Sequence, residues 1–160
     1  GQRVEEIARL HVDQWDAKER IIDWSKTKNL QPHAVPVPLL AAELIESIRP
    51  NEYGWYFPSA KDPSKPVSHG TLYSFVWRQR DRGVIPYATN RDLRRTFKTL
   101  AGKAGVPKEI RDRLQNHALQ DVSSKHYDRW HYMVEKRAGM AKWDKFVRSM
   151  LAKKRLKLAA

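Results

Sequence analysis

Between residues 88 and 105 the sequence reads ATNRDLRRTFKTLAGKAG, with Arg91, Arg94, Arg95, Lys98 and Lys103 answered only by Asp92. Cations packed this densely on one expected helix repel one another unless an anion comes between them. At about 100° per residue, Leu93, Phe97, Leu100 and Ala104 fall within roughly 60° and read as the buried face. Arg91, Arg95 and Lys98 lie nearly opposite. Arg94 falls about 100° from the apolar direction, at its margin. A guanidinium held there is partly desolvated and needs either a structural carboxylate or a phosphate. The wheel leaves both open, and the neighbouring positive charges favour phosphate.

The whole chain carries the same bias. Its 160 residues hold 31 Lys+Arg against 18 Asp+Glu, a formal charge of +13, with a pI near 10.1. That balance favours polyanions, nucleic acid above all. The length suits one domain, and six Trp, six Tyr and four Phe supply bulky core material. The absence of cysteine excludes a disulfide scaffold and thiolate metal sites and fits a reducing compartment. No apolar run approaches a membrane span and no signal-peptide pattern opens the chain. Both ends read as cut, so residues 1–156 are expected to be one domain of a longer protein and 157–160 a possible vector-derived tail.

The elements that must hold the basic segment follow from local pattern. Val4, Ile7, Ala8 and Leu10 predict a short helix within 3–12. Two β-prone runs, around 19–25 and 33–37, flank a polar K-T-K-N-L-Q-P loop and predict a hairpin, its second strand placed at an edge by Pro36 and Pro38. LLAAELIESI (39–48) predicts a helix stopped by Pro50, and GWYF a short buried anchor in a loop-rich stretch. Ser68 and Gly83 bracket another helix. Asn90 serves as the expected N-cap of the basic helix and Gly105 as its end. Pro107 opens PKEIRDRLQNHA at a first helical position. After an irregular 119–131, EKRAGMAKWDKFVRSMLAKK predicts a long amphipathic helix. The sum is an α+β domain, mainly α-helical, with a small antiparallel sheet.

Five motifs now stand in order: G-Q-R-V-E-E-I at the start, S-K-T-K before P-H-A-V-P-V, then R-D-L-R-R-T-F, L-Q-N-H and H-Y-D-R-W. This series resembles the catalytic domain of tyrosine recombinases. The Y-D-R…E-K-R-A segment is closest to the prophage and genomic-island integrase branch. The resemblance runs from Arg3 to about Trp143.

It implies attack of a tyrosine on a DNA phosphodiester, giving a 3′-phosphotyrosine and a free 5′-hydroxyl without metal or nucleotide cofactor. Such a reaction must balance charge growing on two non-bridging oxygens, protonate the leaving oxygen, and activate a hydroxyl of pKa about 10. By resemblance Arg3 and Arg94 clamp the non-bridging oxygens, and Glu6 orients the pocket. Lys26, in the hairpin loop, is the general acid, preferred to Lys28 because it directly follows the strand. His117 hydrogen-bonds the phosphate or transition state. Tyr127 is the nucleophile, preferred to Tyr132 because it keeps the family's interval from the histidine with one residue extra. Lys28, Arg95 and Lys98 are expected on DNA.

One departure stands out. The family usually carries H-x-x-R where this chain has R-D-L-R, so Arg91 replaces the residue thought to accept the tyrosine proton. Arginine stays protonated in proteins and cannot be that base. It can donate to the phosphate and lower the tyrosine pKa by its charge. His126 is adjacent to Tyr127, but neighbouring side chains rarely point together.

The resemblance further implies double-stranded DNA attachment sites, a homotetramer on DNA, a DNA-bending host factor and an excisionase as partners, and a cytoplasmic, nucleoid-associated location in bacteria. The stripe Trp143, Phe146, Val147, Met150 and Leu151 fits either a neighbouring protomer or the chain's own core. Two other functions remain in view: a type IB topoisomerase-like enzyme and a non-catalytic DNA-binding remnant.

Overall fold

A computed structural model describes residues 1–24, 32–117 and 132–159, the last six as backbone only. The elements are α1 (Val4–Ala8), a 3-10 turn at Val12–Gln14, β1 (Trp15–Asp16), β2 (Ile21–Trp24) and β3 (His33–Pro36). They are followed by α2 (Leu39–Ser47), α3 (His69–Asp81), α4 (Asn90–Lys103), α5 (Lys108–Leu114) and α6 (Met133–Ala159). The mainly helical α+β expectation is met.

The sheet is antiparallel in the order β1-β2-β3. Ile22 pairs with Val35 and Trp24 with His33, so the period of two puts Ile22, Trp24 and Val35 into the core. β3 is an edge strand, as Pro36 requires. β1 was not foreseen; its two residues carry too little pattern to register as a strand, and they extend the hairpin by pairing Trp15 with Ile22.

Helix ends show where local chemistry decides. Ser68 caps α3 by accepting from the Thr71 amide at 3.1 Å. The cap of α4 is Thr89, one residue before the expected Asn90. The Asp92 carboxylate reaches back to the Thr89 amide at 2.9 Å and to its hydroxyl at 2.7 Å, closing a capping box that Asn90 has no acid to match. Pro107 likewise sits at the N-cap of α5 rather than inside it. α6 begins two residues before the expected helix and runs on to Ala159.

The core joins the sheet to α4, α5 and α6. Its orientation of α4 corrects the wheel. Phe97 and Ala101 are buried, whereas Leu93 is 65% exposed. With the buried direction centred between Phe97 and Ala101, Arg94 lies only about 40° from it. It sits on the inward face, not at the margin. The wheel erred because it weighted the large Leu93 over the small Ala101, and close helix approach selects the small residue. Several aromatics also stay outside the core: Tyr73, Phe75 and Trp77 on α3 are exposed.

α6 closes the domain. Trp143 meets Phe97 edge-on at 5.2 Å and Phe146 stacks on Trp143 at 6.0 Å, so the front of the apolar stripe packs against its own chain. Met150 and Leu151 remain exposed.

Candidate active site

The carboxyl end of α5 is the meeting point. Gln115 ends the helix and Asn116 turns the chain out of it at φ +49°, leaving terminal carbonyls with partial negative charge and no intrahelical partner. Two guanidinium groups from other elements take them. Arg3, at the N-cap of α1, donates to the Asn116 carbonyl at 3.2 Å. Arg94, from α4, donates to the Gln115 carbonyl and, at 3.0 Å, to that of Gly1.

Their electrostatics differ. Arg3 pairs with the buried Glu6 at 3.0 Å, and the second Glu6 oxygen accepts the Arg3 amide at 3.4 Å. Arg94 has carbonyls only. Burial, then repulsion from Arg3, lower its affinity for a proton, and Glu6 opposes them. Two guanidiniums therefore share one nearby carboxylate, which leaves a net positive site suited to an oxyanion.

Gln115 supports Arg94 from behind. It is 1% exposed, and its side-chain amide donates to the Arg94 carbonyl at 2.9 Å and to the Gly1 carbonyl at 3.2 Å.

His117 follows directly. Its amide donates to the Asp112 carbonyl at 3.0 Å, and its Nδ1 lies 3.2 Å from Asp112 Oδ1 and 3.2 Å from Lys98 Nζ. Lys98 reaches the same Asp112 oxygen at 2.5 Å, and Lys108 holds the other at 3.0 Å. Burial would push the Asp112 carboxyl up, but hydrogen bonds from Lys98, Lys108 and His117 override it and hold the acid well below its usual range. Burial pulls His117 below the ordinary imidazole value, helped by Arg94 and Lys98 and opposed by Asp112.

Of the expected site residues, the fold brings Arg3, Glu6, Arg94 and His117 together around the α5 terminus. Lys98, expected on DNA, is engaged by Asp112 and His117. Arg95 lies on the outer face, paired with Asp92 at 3.2 Å. Arg91 is exposed and makes no hydrogen bond or ion pair among the described residues. Lys26, Lys28, His126 and Tyr127 lie outside the described residues. Tyr132 stands at the start of α6 with the Arg113 guanidinium 3.5 Å above its ring.

Asp112 and Gln115 escaped the sequence reading. The Lys108–Asp112 spacing on α5 signals a helical ion pair, but nothing local announces that Lys98 and His117 share that acid. Among the described residues, no group of three or more His, Cys, Asp or Glu side chains could hold a metal ion, and no helix is long and apolar enough to cross a membrane.

A model of the phage integrase family matches residues 1–131. The chain belongs to the phage integrase family. The tyrosine recombinase resemblance read from its motifs is thereby met. A search of curated proteins found no match. Among solved structures, the integrase from mycobacterium phage Brujita superposes with a TM-score of 0.70 at 18% identity, over 88% of this chain and 46% of that one. That likeness concerns the fold. This integrase-family chain thus spans about half the length of the integrase it matches.

Proposed function

We propose that the chain is the catalytic domain of a site-specific DNA recombinase that cuts and rejoins DNA through a 3′-phosphotyrosine, serving integration or excision of a prophage or mobile element. The observation that carries this reading is the convergence of Arg3 and Arg94 on adjacent carbonyls of one helix end. Their remaining N–H groups suit two non-bridging oxygens of a scissile phosphate.

In this reading Tyr127 attacks phosphorus, Lys26 protonates the departing 5′ oxygen, and His117 faces the same phosphate. Arg91, exposed at the start of α4, donates to DNA. The bond energy stays in the protein–DNA link, so religation needs no nucleotide. Double-stranded attachment sites are the substrate, and a homotetramer on DNA, with a DNA-bending host factor and an excisionase, is the working assembly. Residues 1–156 form the catalytic domain.

The test is covalent trapping of the full-length protein on a nicked suicide substrate carrying the attachment sequence that flanks its gene. A 3′-linked adduct that vanishes in Tyr127→Phe supports the reading; no adduct on the cognate site sinks it. The exposed Arg91 favours a second reading, a DNA-binding remnant. That protein would bind DNA with a steep salt dependence and no adduct.

A further inference from the structure

A phenol attacking phosphorus must lose its proton, and the described site residues differ in their ability to take it. Arg3, Arg91, Arg94 and Lys98 are cations with no lone pair to offer. Both Glu6 oxygens are engaged by Arg3. Both Asp112 oxygens are engaged by Lys98 and Lys108. His117 Nε2 alone has no hydrogen-bond partner among the described residues, and its side chain is 37% exposed. The ring is tethered at its other edge, by the 3.2 Å contact of Nδ1 with Asp112, and behind, by the backbone bond to the Asp112 carbonyl.

We propose that Asp112 and His117 form a carboxylate–imidazole pair in which Asp112 holds Nδ1–H and His117 Nε2 accepts the proton of the attacking tyrosine. This rests on the recombinase reading and assigns the acceptor that Arg91 cannot be. Lys98 donates to Asp112 at 2.5 Å, so the Nδ1–H tautomer puts a third donor on an anion. The opposite tautomer sets a nitrogen lone pair against a carboxylate oxygen.

The step balances. The Tyr127 Oη–H bond breaks and its proton passes to His117 Nε2, while an Oη lone pair forms the bond to phosphorus. The phosphorus–O5′ bond breaks, its electron pair leaves on the 5′ oxygen, and Lys26 Nζ protonates that oxygen. The imidazolium so formed faces the Asp112 carboxylate, which stabilises it. The charged groups around the ring are Arg94 and Lys98 from α4 and Asp112, with Lys108 behind it, from α5. Burial with the two α4 cations keeps the resting ring below its usual pKa, so its lone pair is free at neutral pH.

Single-turnover adduct formation by the full-length protein on a nicked suicide substrate, from pH 5 to 8, reads this directly. The wild-type rate falls on the acid side, with its limb below the ordinary imidazole value. Asp112→Asn moves that limb to lower pH, since Asp112 raises the imidazole pKa, and slows the plateau about tenfold. His117→Gln slows it at least ~10²-fold and removes the limb. Arg91→His in the His117→Gln background recovers about tenfold. An unchanged limb in His117→Gln, or no recovery with Arg91→His, overturns the base role.

Nitrogen NMR of the wild-type protein tests the tautomer without any variant. Nδ1–H supports the pair, whereas Nε2–H with Nδ1 accepting from Lys98 overturns it. No adduct from the wild-type protein at any pH overturns the recombinase reading, and the base role with it. Adduct with an unmoved limb overturns the base role alone.

Discussion

Arg3 and Arg94 donate to the carbonyls of adjacent residues, Asn116 and Gln115, so one helix end sets the spacing of two guanidiniums from distant parts of the chain. An arginine fork rests on a carbonyl and still presents further N–H groups in one fixed plane, a geometry that the lysine ammonium does not reproduce. Arg94→Lys keeps the charge and loses the fork. It is expected to lower the rate of covalent DNA trapping by about 10²-fold or more while changing the DNA Kd little. Rates measured beside binding isotherms check this. A loss in Kd that matches the loss in rate would show that Arg94 serves only to bind.

Gln115 holds the backbone of Arg94 as well as its side chain. Gln115→Met keeps the buried volume and removes the two donated hydrogen bonds to the Arg94 and Gly1 carbonyls. Each carbonyl keeps another donor, Arg94 Nη1 at Gly1 and the α4 ladder at Arg94, so the cost is that of two ordinary hydrogen bonds, about 1–3 kcal/mol in all. The melting temperature falls accordingly, and trapping slows because the Arg94 backbone is held less firmly, although its guanidinium keeps the residue-115 carbonyl. A variant that melts like wild type would show that the donors these carbonyls already have suffice.

How far these relationships could be read beforehand depended on their range. Pro36 at a sheet edge, Ser68 at a cap and the basic run of α4 are local facts, and sequence carries local facts well. The inward turn of Arg94 was not legible, because Ala101, a small residue, marks where α4 meets its neighbours. Asp112 was not legible as a site residue, since its partners Lys98 and His117 come together only after α4 packs on α5. The motif series compensated for Arg3 and His117, whose placement at one helix end no spacing argument supplies.

Acid should destabilise the domain in two separable steps. Burial, then the Lys136 charge, pull His33 down to about 4, so the unfolded chain takes up its proton first. The stability that His33 contributes is complete above about 6.5 and is lost as pH falls from there to about 4. Asp112 is held below its usual range, so its contribution is present above about 3.9 and lost below it. Melting curves between pH 7 and 3 should show His33→Gln flattening the upper window and Asp112→Asn the lower. Curves parallel to wild type in the matching window would refute each assignment.

Gly139 fixes how closely α6 approaches α5, and hence how α5 presents its carboxyl end. A Cβ built there would lie 3.1 Å from a Val106 methyl and 3.2 Å from an Ile110 methyl, tighter than a packed core accepts without movement. Gly139→Val adds two further methyls at that contact. The expected cost is about 1–3 kcal/mol from overpacking. Because α5 carries Asp112, Gln115 and the carbonyls that seat both arginines, the strain should also reach the site. Gly139→Ala, with one carbon to absorb, is expected to fall between wild type and valine. Graded melting temperatures across the three proteins, with trapping rates in the same order, check this. Equal stability for all three would mean that α6 can lift away from α5 without consequence, and that the arginine seat does not depend on their contact.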